Sequence, residues 1–182
     1  MKTLICVDMQ NDFLTGSLAN PAAAAIVEPM AEYIKNFDGE VLFTKDTHYE
    51  DYLNTQEGKN LPIEHCICRT KGWQINKKLL EAMVEKTKDE KWLGSDNLWE
   101  IVNKESFGDI SNLQFKINPY EVNEIYLCGT CTDICVISIA LNLKAFYPEI
   151  KMYCIADLCA GLTPEKHTAA LEVMKSCQIE VI

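Results

Sequence analysis

Residues 123–130, NEIYLCGT, are followed almost at once by residues 133–147, DICVISIALNLKAFY. The first run is short and mainly apolar, as in a strand that is buried on both faces of a parallel sheet. The second run has the length and the apolar spacing of a helix. A strand that leads into a helix is half of a β-α-β unit, so this stretch predicts an α/β fold.

The same alternation extends in both directions along the chain. Further strands are predicted at residues 3–8, 39–46, 149–157 and 178–182, and further helices at residues 21–37 and 163–176. A polar loop is expected between Asp46 and Cys68, and residues 73–102 predict one or two helices with a weak break at residues 94–97. This order predicts a doubly wound, Rossmann-like α/β fold with a mostly parallel sheet and helices on both faces. No repeat or linker composition interrupts the chain, so we expect a single domain over residues 1–182.

Composition and charge limit the classes of function. The chain has 182 residues, of which 48% are hydrophobic, which suits one domain with a sizeable core. Its formal charge of -10 argues against nucleic-acid binding, because phosphates would be repelled. No run of about 18 apolar residues is present to span a membrane, and the N-terminus lacks the features of a signal peptide. Nine cysteines are odd in number and imply no small disulfide scaffold, so, without a signal peptide or a membrane span, we predict a cytoplasmic protein with reduced thiols.

Polar residues follow the predicted strands at the points where those strands end. Asp8 follows the first strand, Asp46 ends the second, and the segment GTCTDIC (129–135) follows the strand at residues 123–130. In open parallel sheets, ligands bind beyond the carboxyl ends of the strands. We therefore expect these three places to converge on one site.

Three cysteines lie close together in the segment CGTCTDICV. Cys128 falls inside the predicted strand and Cys131 in the loop after it, whereas Cys135 lies near the start of the helix. A helix N-terminus beside a cation lowers the pKa of a thiol, which a cysteine nucleophile requires. Spacing alone also allows packing, because most free cysteines are inert, or zinc binding, although no strong pair of CxxC motifs is present.

Histidines and carboxylates supply a possible metal site. Asp46 and His48 are two residues apart in KDTHYED, and His65 follows after a loop that contains Glu57. A carboxylate with two imidazoles suits zinc, iron or manganese. The alternative is that Asp46 caps a turn and both histidines lie on the surface. His167 belongs to a polar-faced helix, and we interpret it as a surface or partly buried residue without a role.

Asp8 and Lys104 complete the set of candidate residues. An aspartate at the end of a strand can act as a general base or can cap a turn. Lys104, in the segment VNKESF, is a possible catalytic cation, although most lysines are solvated.

Four segments together resemble the isochorismatase-like cysteine hydrolases, and within them the nicotinamidase branch. LICVDMQNDF resembles the first strand and its aspartate, TKDTH with LPIEHC the metal-binding segment, VNKESF the lysine segment, and CGTCTDICV the nucleophile segment. The match spans nearly the whole chain and preserves the order of the segments. The resemblance implies a hydrolase of small amides, with nicotinamide as the leading substrate and NAD salvage as the pathway.

The resemblance also implies a role for each site residue. Asp8, Lys104 and Cys135 would form a catalytic triad, with Cys135 as the nucleophile. The oxyanion would be bound by the backbone N–H groups of Cys131 and Cys135, next to a cis peptide bond between Thr130 and Cys131. One divalent metal ion is implied, with zinc favoured over iron or manganese. Its ligands would be Asp46, His48 and His65, with Glu57 as the candidate for a fourth. Relatives of this kind often form homo-oligomers, which we expect here.

The chain also departs from the nicotinamidase pattern. Pro62 stands where an aromatic residue usually packs on the pyridine ring, and Arg69 stands where relatives often have glycine. Phe13 and Phe107 remain as candidates for an aromatic wall around the substrate, with ordinary core packing as their alternative. A guanidinium at position 69 would favour an anionic substrate.

Three rival functions remain open. The first is a hydrolase with the same triad that acts on a ureido or carbamoyl compound, which Pro62 and Arg69 favour. The second is isochorismatase-type ether hydrolysis, which the metal ligands disfavour. The third is a catalytically silent binding module on the same fold.

Overall fold

A six-stranded parallel sheet forms the centre of the molecule, in the order β3-β2-β1-β4-β5-β6. The computed structural model describes residues 1–93, 98 and 100–182. The strands are β1 (Lys2–Val7), β2 (Glu40–Asp46), β3 (Ile101–Lys104), β4 (Glu124–Thr130), β5 (Lys151–Ala160) and β6 (Glu180–Val181). All five pairings between them are parallel. The predicted α/β fold is therefore confirmed.

Seven α-helices connect and cover the strands in the described part of the chain. They are α1 (Asn11–Leu14), α2 (Pro21–Ala25), α3 (Val27–Asn36), α4 (Gln56–Asn60), α5 (Lys77–Thr87), α6 (Ile137–Phe146) and α7 (Pro164–Ser176). Short 3-10 turns span Tyr52–Asn54, Glu90–Leu93 and Leu113–Lys116, and a π-helical turn spans Thr132–Val136. Among these residues, no helix combines the length and the apolar character that a membrane span requires.

The order of the strands determines where a site can form. From β1 the chain moves outward through β2 to β3, then returns to place β4 on the other side of β1. Because parallel crossovers are right-handed, the helices of the two halves flank the sheet on opposite faces. The direction of winding reverses between β1 and β4, and ligands in such folds bind beyond the carboxyl ends of the strands at that switch point.

Close packing at the switch point requires one glycine. Gly129 on β4 pairs with Val7 on β1 and has a φ of 124°. A Cβ at this position would lie 2.1 Å from the carbonyl oxygen of Val7. Only glycine combines this backbone conformation with so close an approach, so Gly129 keeps the ends of β1 and β4 together.

Three local predictions differ from the structure. The helix expected at residues 21–37 is divided into α2 and α3 at Ile26. Two short helical turns, including α4, lie in the expected polar loop. Residues 101–102, predicted to be helical, begin strand β3, because their pairing with β2 outweighs the helical pattern before them. The break expected at residues 94–97 lies outside the described residues.

Candidate active site

Four strand ends bring the candidate catalytic residues together. Asp8 follows β1, Asp46 ends β2, Lys104 ends β3, and the segment after β4 leads to Cys135. Asp8 has a φ of 50°, in the left-handed region that aspartate tolerates better than most residues. The chain thus turns away from the sheet at Asp8, directly after β1, where the sequence predicts the end of this strand.

Lys104 is the centre of the arrangement. Its Nζ atom lies 2.8 Å from Asp8 Oδ2, 3.0 Å from Asp46 Oδ1 and 3.5 Å from Cys135 Sγ. The side chains of Lys104 and Asp8 are fully buried. The hydroxyl of Thr44 donates to Asp8 Oδ1 at 2.7 Å and fixes that carboxylate. The structure therefore brings the three predicted triad residues into contact around one cation.

Burial and charge set the protonation states of these groups. Burial opposes the charge on Lys104, but the neighbouring Asp8, Cys135 and Asp46 outweigh it and keep the lysine pKa well above its ordinary value. Burial, together with the charge of Asp8, raises the pKa of Cys135 well above that of a free thiol, although Lys104 opposes this shift. Burial also raises the pKa of Asp8, against the influence of Lys104. Asp8 and Cys135 can thus share a proton beside a permanent ammonium group.

The backbone after β4 has the expected special geometry. The peptide bond between Thr130 and Cys131 is cis. Cys131 precedes the π-helical turn, and Cys135 lies within that turn with 5% of its surface exposed. π-Helical turns are rare and are frequent at functional sites. Cys128 is buried within β4, with its sulfur 3.6 Å from that of Cys6, as expected for a packing residue.

A second cluster lies next to Lys104 and shares Asp46 with it. His48 Nε2 is 3.1 Å and His65 Nε2 is 3.7 Å from Asp46 Oδ2. Glu57 Oε1, on helix α4, lies 3.6 Å from His48 Nε2 and 3.9 Å from His65 Nε2. The ligand atoms of all four residues lie within 4.8 Å of one another. The structure thus brings Glu57 to the other three predicted metal ligands.

The donor set suits a divalent cation. Glu57 Oε1 is buried and has no hydrogen-bond partner. His65 Nδ1 lies 2.9 Å from the carbonyl oxygen of Ile63, an acceptor, so this nitrogen carries the proton and Nε2 keeps its lone pair. Burial opposes the charge on Asp46, but the contact with His48 and the positive charge of Lys104 outweigh it and hold the pKa of Asp46 well below its usual range. Two imidazoles and two carboxylates are ligands that zinc, iron and manganese accept.

Both clusters open onto one cavity of about 210 Å³. Its polar wall includes Cys131, Cys135, Asp46, Glu57 and His65, and its apolar wall is formed by Phe13, Leu18, Leu61, Phe107, Ile134 and Leu162, with Asn20 beside them. The ring of Phe13 lies 5.7 Å from that of His65, and Phe107 is 44% exposed at the edge of the cavity. Pro62 and Arg69 are exposed and are not part of this wall.

Sequence reasoning missed Gln10, which clamps the peptide groups of Asp46. Its Nε2 donates to the carbonyl oxygens of Asp46 at 2.8 Å and of Trp73 at 2.9 Å, and its Oε1 accepts from the Asp46 N–H at 2.7 Å. Gln10 is fully buried. The sequence shows only that Gln10 follows the first strand, and this position does not indicate that its partner, Asp46, lies 36 residues away.

Over residues 2–182 the chain matches the isochorismatase domain family. It is 28% identical to the nicotinamidase/pyrazinamidase of Mycobacterium tuberculosis, over 100% of this chain and 98% of that protein. It is 26% identical to the nicotinamidase of Schizosaccharomyces pombe, over 98% of this chain and 91% of that protein. Among solved structures, it is similar to the pyrazinamidase of Pyrococcus horikoshii in complex with zinc. That likeness has a TM-score of 0.75 and 28% identity, and covers 100% of this chain and 98% of that one.

Proposed function

The chain belongs to the isochorismatase domain family, and on that premise we propose that it is a metal-assisted cysteine amidohydrolase that converts nicotinamide to nicotinate and ammonia. One observation carries the proposal. The ammonium of Lys104 contacts Asp8, Cys135 and Asp46 at once, so the thiol and the four-residue metal cluster face the same cavity. An amide held by the cluster would present its carbonyl carbon to the thiol.

The first half of the reaction forms a thioester. Asp8 takes the proton of Cys135, and the resulting thiolate, beside Lys104, attacks the carbonyl carbon of the amide. The negative charge on the carbonyl oxygen is stabilised by the N–H groups of Cys131 and Cys135. Asp8 then gives its proton to the amide nitrogen, the carbon–nitrogen bond breaks, and ammonia leaves.

The second half of the reaction restores the enzyme. Asp8, again a carboxylate, takes a proton from a water molecule, which attacks the carbonyl carbon of the thioester. The carbon–sulfur bond breaks, the thiolate of Cys135 regains the proton from Asp8, and nicotinic acid leaves and loses its own proton to solvent as nicotinate. Lys104 remains protonated throughout, because the charges around it keep its pKa well above the ordinary value.

Asp46, His48, His65 and Glu57 would hold the metal ion. When bound, a divalent ion supplies a Lewis-acid contact for the pyridine nitrogen and so orients the ring. Zinc is the favoured ion, because two histidines and two carboxylates are among its usual ligand types and the similar pyrazinamidase of Pyrococcus horikoshii was solved in complex with zinc. Asp46 belongs to both clusters, since its Oδ2 lies 3.1 Å from His48 Nε2 and its Oδ1 lies 3.0 Å from Lys104 Nζ, so it would link the position of the substrate to that of the nucleophile.

The wall of the cavity favours a neutral aromatic amide over the rival substrates. Among the described residues that line it there is no lysine or arginine, whereas Asp46 and Glu57 are acidic. A dianionic substrate of an isochorismatase would be repelled there. Arg69 lies outside the cavity, so it does not support an anionic ureido or carbamoyl substrate. Phe13 and Phe107 would contact the faces of a pyridine ring.

Ammonia release tests the proposal. Zinc-loaded protein is incubated with nicotinamide, beside Cys135→Ala and the matched control Cys177→Ala, which removes an exposed cysteine. We expect release by the parent and the control, and none by Cys135→Ala. Binding of nicotinamide without release by the parent would indicate a silent binding module. Release only from a carbamoyl compound would support the first rival, and ether cleavage of isochorismate would support the second.

A cytoplasmic location and a homo-oligomeric assembly belong to the same proposal. Light scattering on the purified protein measures the assembly, and cell fractionation measures the location.

A further inference from the structure

Three side chains at and after the end of β4 contact the end of β5, the residues that follow it, and helix α7. Thr130 Oγ1 donates to the carbonyl oxygen of Ala160 at 3.2 Å. Asp133 Oδ1 accepts from the N–H of Leu162 at 2.9 Å. Between these two contacts, Thr132 Oγ1 lies 2.9 Å from Nδ1 of His167, on helix α7. The first two contacts involve backbone groups, of Ala160 at the end of β5 and of Leu162 after it, whereas the third depends on the side chain of His167.

His167 is fixed in position by its surroundings. Its backbone N–H donates to the carbonyl oxygen of Thr163 in the first turn of α7. A Cβ added to Gly161 would lie 2.9 Å from Cβ of His167, so only glycine allows this approach. Asn20 Nδ2 donates to the carbonyl oxygen of Gly161 at 2.9 Å and holds that residue in turn. The backbone and Cβ of His167 are therefore held in place, and the side chain of Thr132 that its imidazole contacts is fully buried.

Thr132 is the first residue of the π-helical turn, directly after the proposed oxyanion donor Cys131 and three residues before the other donor, Cys135. We propose that His167 is a positioning residue, which holds Thr132 and thereby orients the backbone N–H groups of Cys131 and Cys135. The expected effect on catalysis rests on the proposed function, whereas the positioning of the turn does not. Such donors act only when they already point to the place where charge develops, so freedom in this turn would weaken them in the transition state.

The hydrogen bond itself can be replaced selectively. The Thr132 hydroxyl can donate to Nδ1 or accept from it, so either tautomer of His167 serves. Asparagine places an amide oxygen or nitrogen near the position of Nδ1, whereas leucine has a similar bulk and no polar atom. Likewise, Thr132→Val keeps the shape of threonine and removes its hydroxyl. These variants separate the loss of one contact from the loss of packing.

Steady-state kinetics on nicotinamide form the first test. We expect His167→Leu and Thr132→Val each to lower kcat about tenfold, as for one lost hydrogen bond, with KM changed by less than about twofold. The double variant should be no slower than either single one, because both remove the same contact. His167→Asn should retain most of the parent kcat. Thr168→Leu, an exposed change on the same helix, is the matched control.

Amide hydrogen exchange of the peptide that contains residues 131–135 is the second test and needs no substrate. It should be faster in His167→Leu than in the parent and normal in His167→Asn. An unchanged kcat in His167→Leu, equal losses in the leucine and asparagine variants, or additive losses in the double variant would each overturn the inference. Should the parent release no ammonia, the proposed function fails. Exchange then decides the positioning role alone, and unchanged exchange overturns it.

Discussion

Replacement of Lys104 by methionine tests the electrostatic centre of the molecule. Methionine keeps much of the volume of the lysine stem but removes the ammonium group. Asp8 and Asp46, whose carboxylates lie 2.8 Å and 3.0 Å from that group, lose their common cation. Because Lys104 and Asp8 are fully buried, water cannot replace the lost contacts without rearrangement.

The expected loss of stability is large. At an effective dielectric constant of about 20, each of these two ion pairs, at 2.8 and 3.0 Å, has a Coulomb attraction of about 5–6 kcal/mol. The desolvation of Lys104 cancels part of this, and removal of one partner from a buried ion pair typically costs about 3–5 kcal/mol. For a domain of this size that loss corresponds to a fall in Tm of about 6–20 °C.

The loss of stability in Lys104→Met should increase as the pH rises. Burial raises the pKa of Asp8 above its unfolded value of about 3.9. Stability from such a group is fully present below the unfolded pKa and is lost as the pH rises through the folded pKa. Loss of Lys104 removes the main influence that lowers the pKa of Asp8, so the folded pKa rises further. The variant should therefore be weakest near pH 8 and approach the parent as the pH falls toward about 4.

Thermal unfolding of metal-free protein, followed by circular dichroism across this pH range, measures both effects. Lys2→Met is the control, since Lys2 forms a surface pair with Glu124 at 3.8 Å and should contribute less than about 1 kcal/mol. The reasoning would be refuted if the free energy of unfolding of Lys104→Met were within about 1 kcal/mol of that of the parent at pH 8, or if the difference grew as the pH falls.

Three further changes have defined outcomes. Glu57→Gln should weaken zinc binding by at least about tenfold in equilibrium dialysis, because the neutral amide replaces a buried carboxylate without a hydrogen-bond partner. Gln10→Leu should cost about 3 kcal/mol or more in chemical unfolding, because it leaves three buried backbone groups unpaired. Gly129→Ala should leave little folded protein in gel filtration, because its Cβ would lie 2.1 Å from the carbonyl oxygen of Val7. Parental zinc affinity in Glu57→Gln, parental stability in Gln10→Leu, or a parental yield of folded Gly129→Ala would each contradict the argument for that residue.

The sequence by itself determined the alternation of strands and helices and the segments that hold the candidate site. Buried strands such as residues 3–8 are visible because both faces of a central parallel strand must be apolar. Thr163, whose side chain accepts from the N–H of Lys166, marks the start of α7 in the same local way. The four-segment resemblance to the isochorismatase family is likewise a property of the chain order, and the family match confirms it.

Only the tertiary structure decided which of these residues meet. Strand β3 has no clear local pattern, because it lies at the edge of the sheet and Asn103 is exposed, so pairing with β2 specifies it. The contact between Thr132 and His167 joins residues 35 positions apart, and nothing in a polar-faced helix indicates it. Local patterns reflect burial and backbone preference within a few residues, whereas the partners of Lys104 are set by the order of the strands. That order brings Asp8, Asp46 and Cys135 to one ammonium group from three different strand ends.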